Sequence, residues 1–147
     1  MMTLGPFSVA QDGTLSPRAP GIRPLLRYAW RGRACAAEVT AAGLRLTALA
    51  GRIPSTSERH ADRGAVVAAV SAVRERLPAG VTLHLMPDHR LLLRREAAAA
   101  REPQLGAMAL LTEMVGFALA VDPCLDRLEQ AGAGAIAPPR SGEGRGR

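Results

Sequence analysis

Val81-Thr82-Leu83-His84-Leu85-Met86-Pro87-Asp88-His89-Arg90-Leu91-Leu92-Leu93-Arg94-Arg95-Glu96 is the stretch on which the fold turns. Val81, Leu83 and Leu85 alternate with Thr82 and His84. Leu91 and Leu93 alternate with Arg90, Arg94 and Glu96, and Pro87-Asp88-His89 between them is turn chemistry. Side chains two apart share a face of a strand, so this is a β-hairpin. Pairing Leu83 with Leu93 and Leu85 with Leu91 puts all four leucines on one face, which needs a covering layer.

The neighbouring segments supply it. Upstream, Val66, Ala69, Val70, Val73 and Leu77 recur at helical spacing, and Pro78-Ala79-Gly80 ends that helix. Its start is signalled twice, by Ser55 with Glu58 as a capping box and by Asp62 as a later N-cap. Before it, Leu44-Arg45-Leu46-Thr47-Ala48-Leu49 reads as a strand, and Leu26, Tyr28 and Trp30 mark another by sharing one parity. Arg27, Arg31 and Arg33 share the opposite parity, which predicts an arginine-lined outer face. Alternation blurs from Ala34 to Val39, and Ala42-Gly43 reads as a turn. Downstream, Pro103 suits a first helical turn, and Leu105, Met108, Leu111, Val115 and Leu119 mark a buried stripe. Asp122-Pro123 reads as an N-cap with Pro behind it, predicting a kink or restart before the helix ends near Gln130.

The order is strand, strand, strand, helix, strand, strand, helix. This lacks the alternation of a parallel sheet and predicts an α+β fold: a mostly antiparallel five-stranded sheet with two helices packed on it. Residues 25–131 form the expected domain. Residues 1–24, rich in Pro and Gly, are expected to add at most a short strand at Phe7-Ser8-Val9, and residues 132–147 to be a disordered basic tail. The predicted core is Leu26, Trp30, Leu46, Val66, Val70, Val73, Leu83, Leu85, Leu91, Leu93, Leu111, Val115 and Leu119.

Composition narrows the class. The chain has 147 residues, 48% hydrophobic but only 3% aromatic, so its core is built from Ala, Leu and Val. Two cysteines, Cys35 and Cys124, cannot form a disulfide-dense scaffold. The net charge is +6, and all 19 basic residues are arginine, which reads as the coding bias of a GC-rich bacterial genome. No basic, apolar leader opens the sequence, and the apolar run Leu105–Val121 carries Glu113, so a cytoplasmic protein without a membrane span is expected.

Catalytic signatures are missing: no G-x-S-x-G, H-E-x-x-H, Walker loop, G-x-G-x-x-G or C-x-x-C occurs. His84, Asp88 and His89 are strand and turn residues before they are a metal site, Ser55-Thr56-Ser57 caps a helix before it cradles an anion, and the cysteines are small buried hydrophobes. No enzyme activity, cofactor or metal is expected. Two readings of function remain. Between Arg18 and Arg33 lie five arginines and no acid, with Tyr28 and Trp30 interleaved, the composition of a single-strand nucleic-acid platform. Strand parity sets those rings opposite the arginines, so a protein-interaction module is the preferred reading. The segment 103–131 is apolar nearly all round, with Leu110, Met114, Phe117 and Ala118 off the predicted stripe. A helix on one sheet needs a stripe only about 100° wide. The surplus predicts a homodimer through this segment, unless residues 1–24 fold back over it. Arg27, Arg31, Arg33, Leu110, Met114 and Phe117 are the candidate interaction residues.

This layout resembles the type III secretion chaperones and the YbjN-type bacterial proteins. The resemblance rests on the strand ending Leu49-Ala50-Gly51-Arg52-Ile53-Pro54, the helix directly after it, the 81–96 hairpin and the long closing helix. It implies a non-enzymatic, chaperone-like protein that binds a protein partner and dimerises.

Overall fold

The computed structural model describes residues 2–18, 24–40, 43–55, 62–97 and 106–133. Its centre is an antiparallel five-stranded sheet of β4 (Leu25–Trp30), β5 (Arg33–Thr40), β6 (Gly43–Arg52), β7 (Val81–Leu85) and β8 (Arg90–Ala97), in the order β4-β5-β6-β8-β7. Two helices, α1 (Arg63–Glu75) and α2 (Ala107–Gln130), complete the α+β fold expected from the sequence.

The β7–β8 hairpin has the predicted register, Leu83 opposite Leu93 and Leu85 opposite Leu91. Leu83, Leu91 and Leu93 are buried, but Leu85, placed in the core from the sequence, is 51% exposed, because β7 is an edge strand and its last residue outruns the cover. From β6, Leu44, Leu46, Ala48 and Ala50 add alternate buried positions to the same face. Val66, Val70 and Val73 of α1 are buried in the same core, as their spacing predicts. Asp62 caps α1, its side chain accepting a hydrogen bond from the Ala65 amide at 2.9 Å. The rival capping box at Ser55 and Glu58, like the seryl cluster around Thr56, extends outside the described residues.

Residues 2–17 do more than supply one short strand. β1 (Met2–Leu4), β2 (Phe7–Val9) and β3 (Leu15–Pro17) form a separate antiparallel sheet. Phe7 and Leu15 are buried in the common core. Gly5, at φ +54°, lies so close to Leu26 that a Cβ there would stand 2.5 Å from its side chain. The Gly13 carbonyl accepts the Ala107 amide at 2.7 Å, which ties this sheet to the start of α2.

The helix α2 runs through Pro123 without restarting, so Asp122 is a mid-helix residue, not an N-cap. Pro103 and Leu105 lie outside the described residues. Gly132 and Ala133, expected in a disordered tail, close the helix. The Gly132 amide donates to Glu129 O and the Ala133 amide to Leu128 O, the Schellman pattern that satisfies the last carbonyls. Ala133 is buried, and its carbonyl accepts the Arg52 amide at the end of β6. Residues 134–147 lie outside the described residues.

The face of α2 is reversed from the expectation. Leu110, Phe117, Val121, Leu125 and Leu128 are buried at 0–1% exposure, with Met114 packed against them. Met108, Leu111, Val115 and Leu119, predicted as the buried stripe, point outward.

Candidate interaction surface

The outward face of α2 is built by helical spacing alone. Leu111, Val115 and Leu119 follow one another four residues apart, and Met108 stands three before Leu111, so the four share a face. They are exposed by 74% at Met108, 41% at Leu111, 56% at Val115 and 59% at Leu119. Beside them Gly116 has no heavy atom within 4 Å of where a Cβ would stand, so the surface is also open to close approach. No charged residue occurs between Glu113 and Asp122. By length and composition alone α2 could cross a membrane. Its opposite face is packed into the core of this domain.

One turn further on the same face becomes acidic. Asp122, Asp126 and Glu129 continue the line of Leu119, and one cation covers all three. Arg31 donates from Nη1 to Asp122 Oδ1 at 3.1 Å, and from Nη2 to Asp126 Oδ1 at 2.8 Å and Glu129 Oε1 at 3.2 Å. Trp30 donates from Nε1 to Asp122 Oδ1 at 2.9 Å. The indole hydrogen bond and the guanidinium hold the Asp122 carboxyl below its ordinary range, and the bonds from Arg33 and Arg31 do the same for Glu129.

The turn between β4 and β5 explains why these arginines point where they do. Arg31 and Gly32 both have positive φ, 55° and 76°, as a two-residue hairpin turn requires. Trp30 therefore pairs directly with Arg33, and paired residues share a face. Read as one continuous strand, residues 25–33 put Arg33 outside; the turn resets the parity and puts it inside. Arg33 is 1% exposed. Its Nη2 donates to Glu129 Oε2 at 2.6 Å, its Nε to Ala50 O at 3.3 Å and its Nη1 to Arg31 O at 3.2 Å.

Of the six candidate interaction residues, Arg27 remains on the exposed face of β4 and Met114 is half-buried. Arg31 and Arg33 are bound to the carboxylates of α2, and Leu110 and Phe117 are core residues. The outward residues Met108, Leu111, Val115 and Leu119 were legible as apolar helical positions but assigned to the wrong side. Tyr28 and Trp30 are partly buried and pack against the core, and Arg18 donates to Gly5 O at 3.1 Å.

Among the described residues, no three His, Cys, Asp or Glu side chains are grouped as a metal site requires. His84 Nε2 meets Thr82 Oγ1 at 2.8 Å, and Asp88 accepts the Arg90 amide at 3.1 Å; both are local strand and turn contacts. Burial pushes the Cys35 thiol up to about 11 and raises that of Cys124, the reverse of what a nucleophile needs.

No protein-family model matches the chain, and no curated protein matches it. A chain of the solved heterodimeric complex ExoU–SpcU, from the type III secretion system of Pseudomonas aeruginosa, is similar at a TM-score of 0.43. The identity is 21%, over 80% of this chain and 94% of that one.

Proposed function

We propose that the chain is a non-enzymatic, chaperone-like protein-interaction module that works as a homodimer, with the outward face of α2 as its self-contact. One observation carries this reading: Met108, Leu111, Val115 and Leu119 form an uninterrupted apolar line on a well-formed helix whose opposite face already fills the core. A soluble monomer rarely leaves a contiguous apolar patch of this kind in water. Of the rival cover, residues 1–24, the described part packs on Leu26 and the start of α2, and Met108, Leu111, Val115 and Leu119 stay exposed.

A second copy suits the line for two reasons. The stretch from Met114 to Val121 has no charge, so two copies crossing near Val115 bring no like charges together. Gly116 lets the partner backbone come close, as small residues do at helix crossings. A nucleic-acid platform is not favoured, since Arg31 and Arg33 are occupied by Asp122, Asp126 and Glu129. Light scattering on the full chain at micromolar concentration tests the reading. Twice the chain mass of 15.4 kDa supports it, and a single chain mass contradicts it.

A further inference from the structure

The three carboxylates in the last turns of α2 are drawn to one side, which leaves Arg127, the cation of this helix, on the other. Asp122, Asp126 and Glu129 face the β4–β5 turn and are matched there by Arg31 and Arg33. Arg127 faces α1 instead. There it lines the same hollow as Arg76, and neither side chain has an ion pair or hydrogen-bond partner among the described residues.

A shallow groove runs between the two helices, with Arg127 along it and Arg76 at one end. At one end Ala68 stands near Gln130 and Ala131; at the other Val73 and Arg76 stand near Pro123 and Cys124. The helices therefore run antiparallel along it. Ala72 and Arg127 border both halves, whose volumes are about 310 and 150 Å³. From Ala68 to Arg76 the floor extends about 12 Å at 1.5 Å per residue, a little over two helical turns. Its base is methyl groups and the proline ring; its flanks are guanidinium groups. It is open along its length, so a small molecule lying there would keep much of its surface in water, unlike a ligand in a typical pocket.

We propose that this groove is a second docking site, separate from the outward line of α2, and that its occupant is an acidic amphipathic helix of another protein. Small side chains on α1 let a third helix lie close, and apolar positions at helical spacing would cover Ala68, Ala72 and Pro123. Carboxylates flanking that stripe would meet Arg76 and Arg127, which otherwise stand unpaired at the rim. Complementary charge at a rim selects the partner more than it tightens the complex. The inference does not depend on dimerisation, because Arg76 and Arg127 are outside the line Met108–Leu119.

The probe is a pair of fluorescent amphipathic peptides of about 15 residues, the length at which an isolated helix becomes marginally stable. Both carry one Leu/Ala stripe; one has Glu on its flanks, the other Lys. The Glu peptide should bind the full chain saturably and the Lys peptide should not. The double variant Arg76→Glu/Arg127→Glu should weaken the Glu peptide by about tenfold or more and gain affinity for the Lys peptide. Ala68→Trp, at an exposed position, should block the Glu peptide while circular dichroism shows the fold intact. Equal binding of both peptides overturns the proposal, as does no binding of the Glu peptide at millimolar concentration. So does an oligothymidylate that binds in place of the Glu peptide and is lost in the double charge reversal.

Discussion

Arg33 and Glu129 form the contact that fixes α2 on the sheet: Nη2 donates to Oε2 at 2.6 Å from a side chain with no solvent exposure of its own. The arginine reaches its buried position because Trp30 is its cross-strand partner, and the glutamate reaches it from the last turn of a 24-residue helix. A buried cation is stable only while its partner and its carbonyl acceptors remain, and here these are Glu129, Ala50 and Arg31.

Glu129→Gln should therefore lower the melting temperature more than Asp126→Asn. The first leaves a buried guanidinium with a neutral partner. The second removes only the outermost of the three carboxylates paired with Arg31. Thermal unfolding of the two variants side by side measures the difference; equal losses contradict the assignment of Arg33 as the buried anchor.

The same contacts set an acid limit. The Glu129 and Asp122 carboxyls are held below their ordinary values of 4.5 and 3.8 in the folded chain. On acidification the unfolded chain takes up these protons first, which favours unfolding. The stabilisation is complete above the ordinary values and is lost as pH falls through the lowered ones. Denaturant midpoints below pH 5 should fall more steeply for the wild type than for Glu129→Gln.

The hairpin, the succession of elements from β4 to α2 and the α1 face were legible because each rests on a local period. Leu83, Leu91 and Leu93 are buried where alternation puts them, and Val66, Val70 and Val73 where the helical repeat does. The α2 face was not legible in the same way. Both of its stripes are apolar from residue 107 to 121, so no local pattern separates them. The deciding signal lies past Val121, where Leu110, Phe117 and Val121 continue into Leu125 and Leu128, while Leu111, Val115 and Leu119 continue into Asp122 and Asp126. Asp122-Pro123, which in sequence has the form of a helix restart, masks that continuation. Arg33 was misplaced for a related reason: two residues, Arg31 and Gly32, turn the chain and reset the parity.

The reversal of the helix face predicts a contrast in stability. Phe117→Ala removes a side chain that is 1% exposed and should cost about 3–5 kcal/mol. Leu110→Ala, at 0% exposure, should cost about 2–5 kcal/mol. Met108→Ala, at 74% exposure, should change stability by no more than about 0.5 kcal/mol. Chemical denaturation at low protein concentration separates these folding effects from those of association.

Tyr28 carries a buried hydroxyl with no hydrogen-bond partner among the described residues. Burial pushes that phenol up to about 12. A buried polar group left unpaired costs about 1–3 kcal/mol. Tyr28→Phe should therefore keep or raise the melting temperature, and a clear drop would show that the hydroxyl has a partner.

The central claim is that Val115 and Leu119 are where two copies meet. Light scattering on Val115→Arg/Leu119→Arg beside the wild type and Arg27→Glu tests it most directly. The account predicts twice 15.4 kDa for the wild type and for Arg27→Glu, and 15.4 kDa for the double variant with its circular dichroism unchanged. A folded double variant that keeps the dimer mass would contradict it.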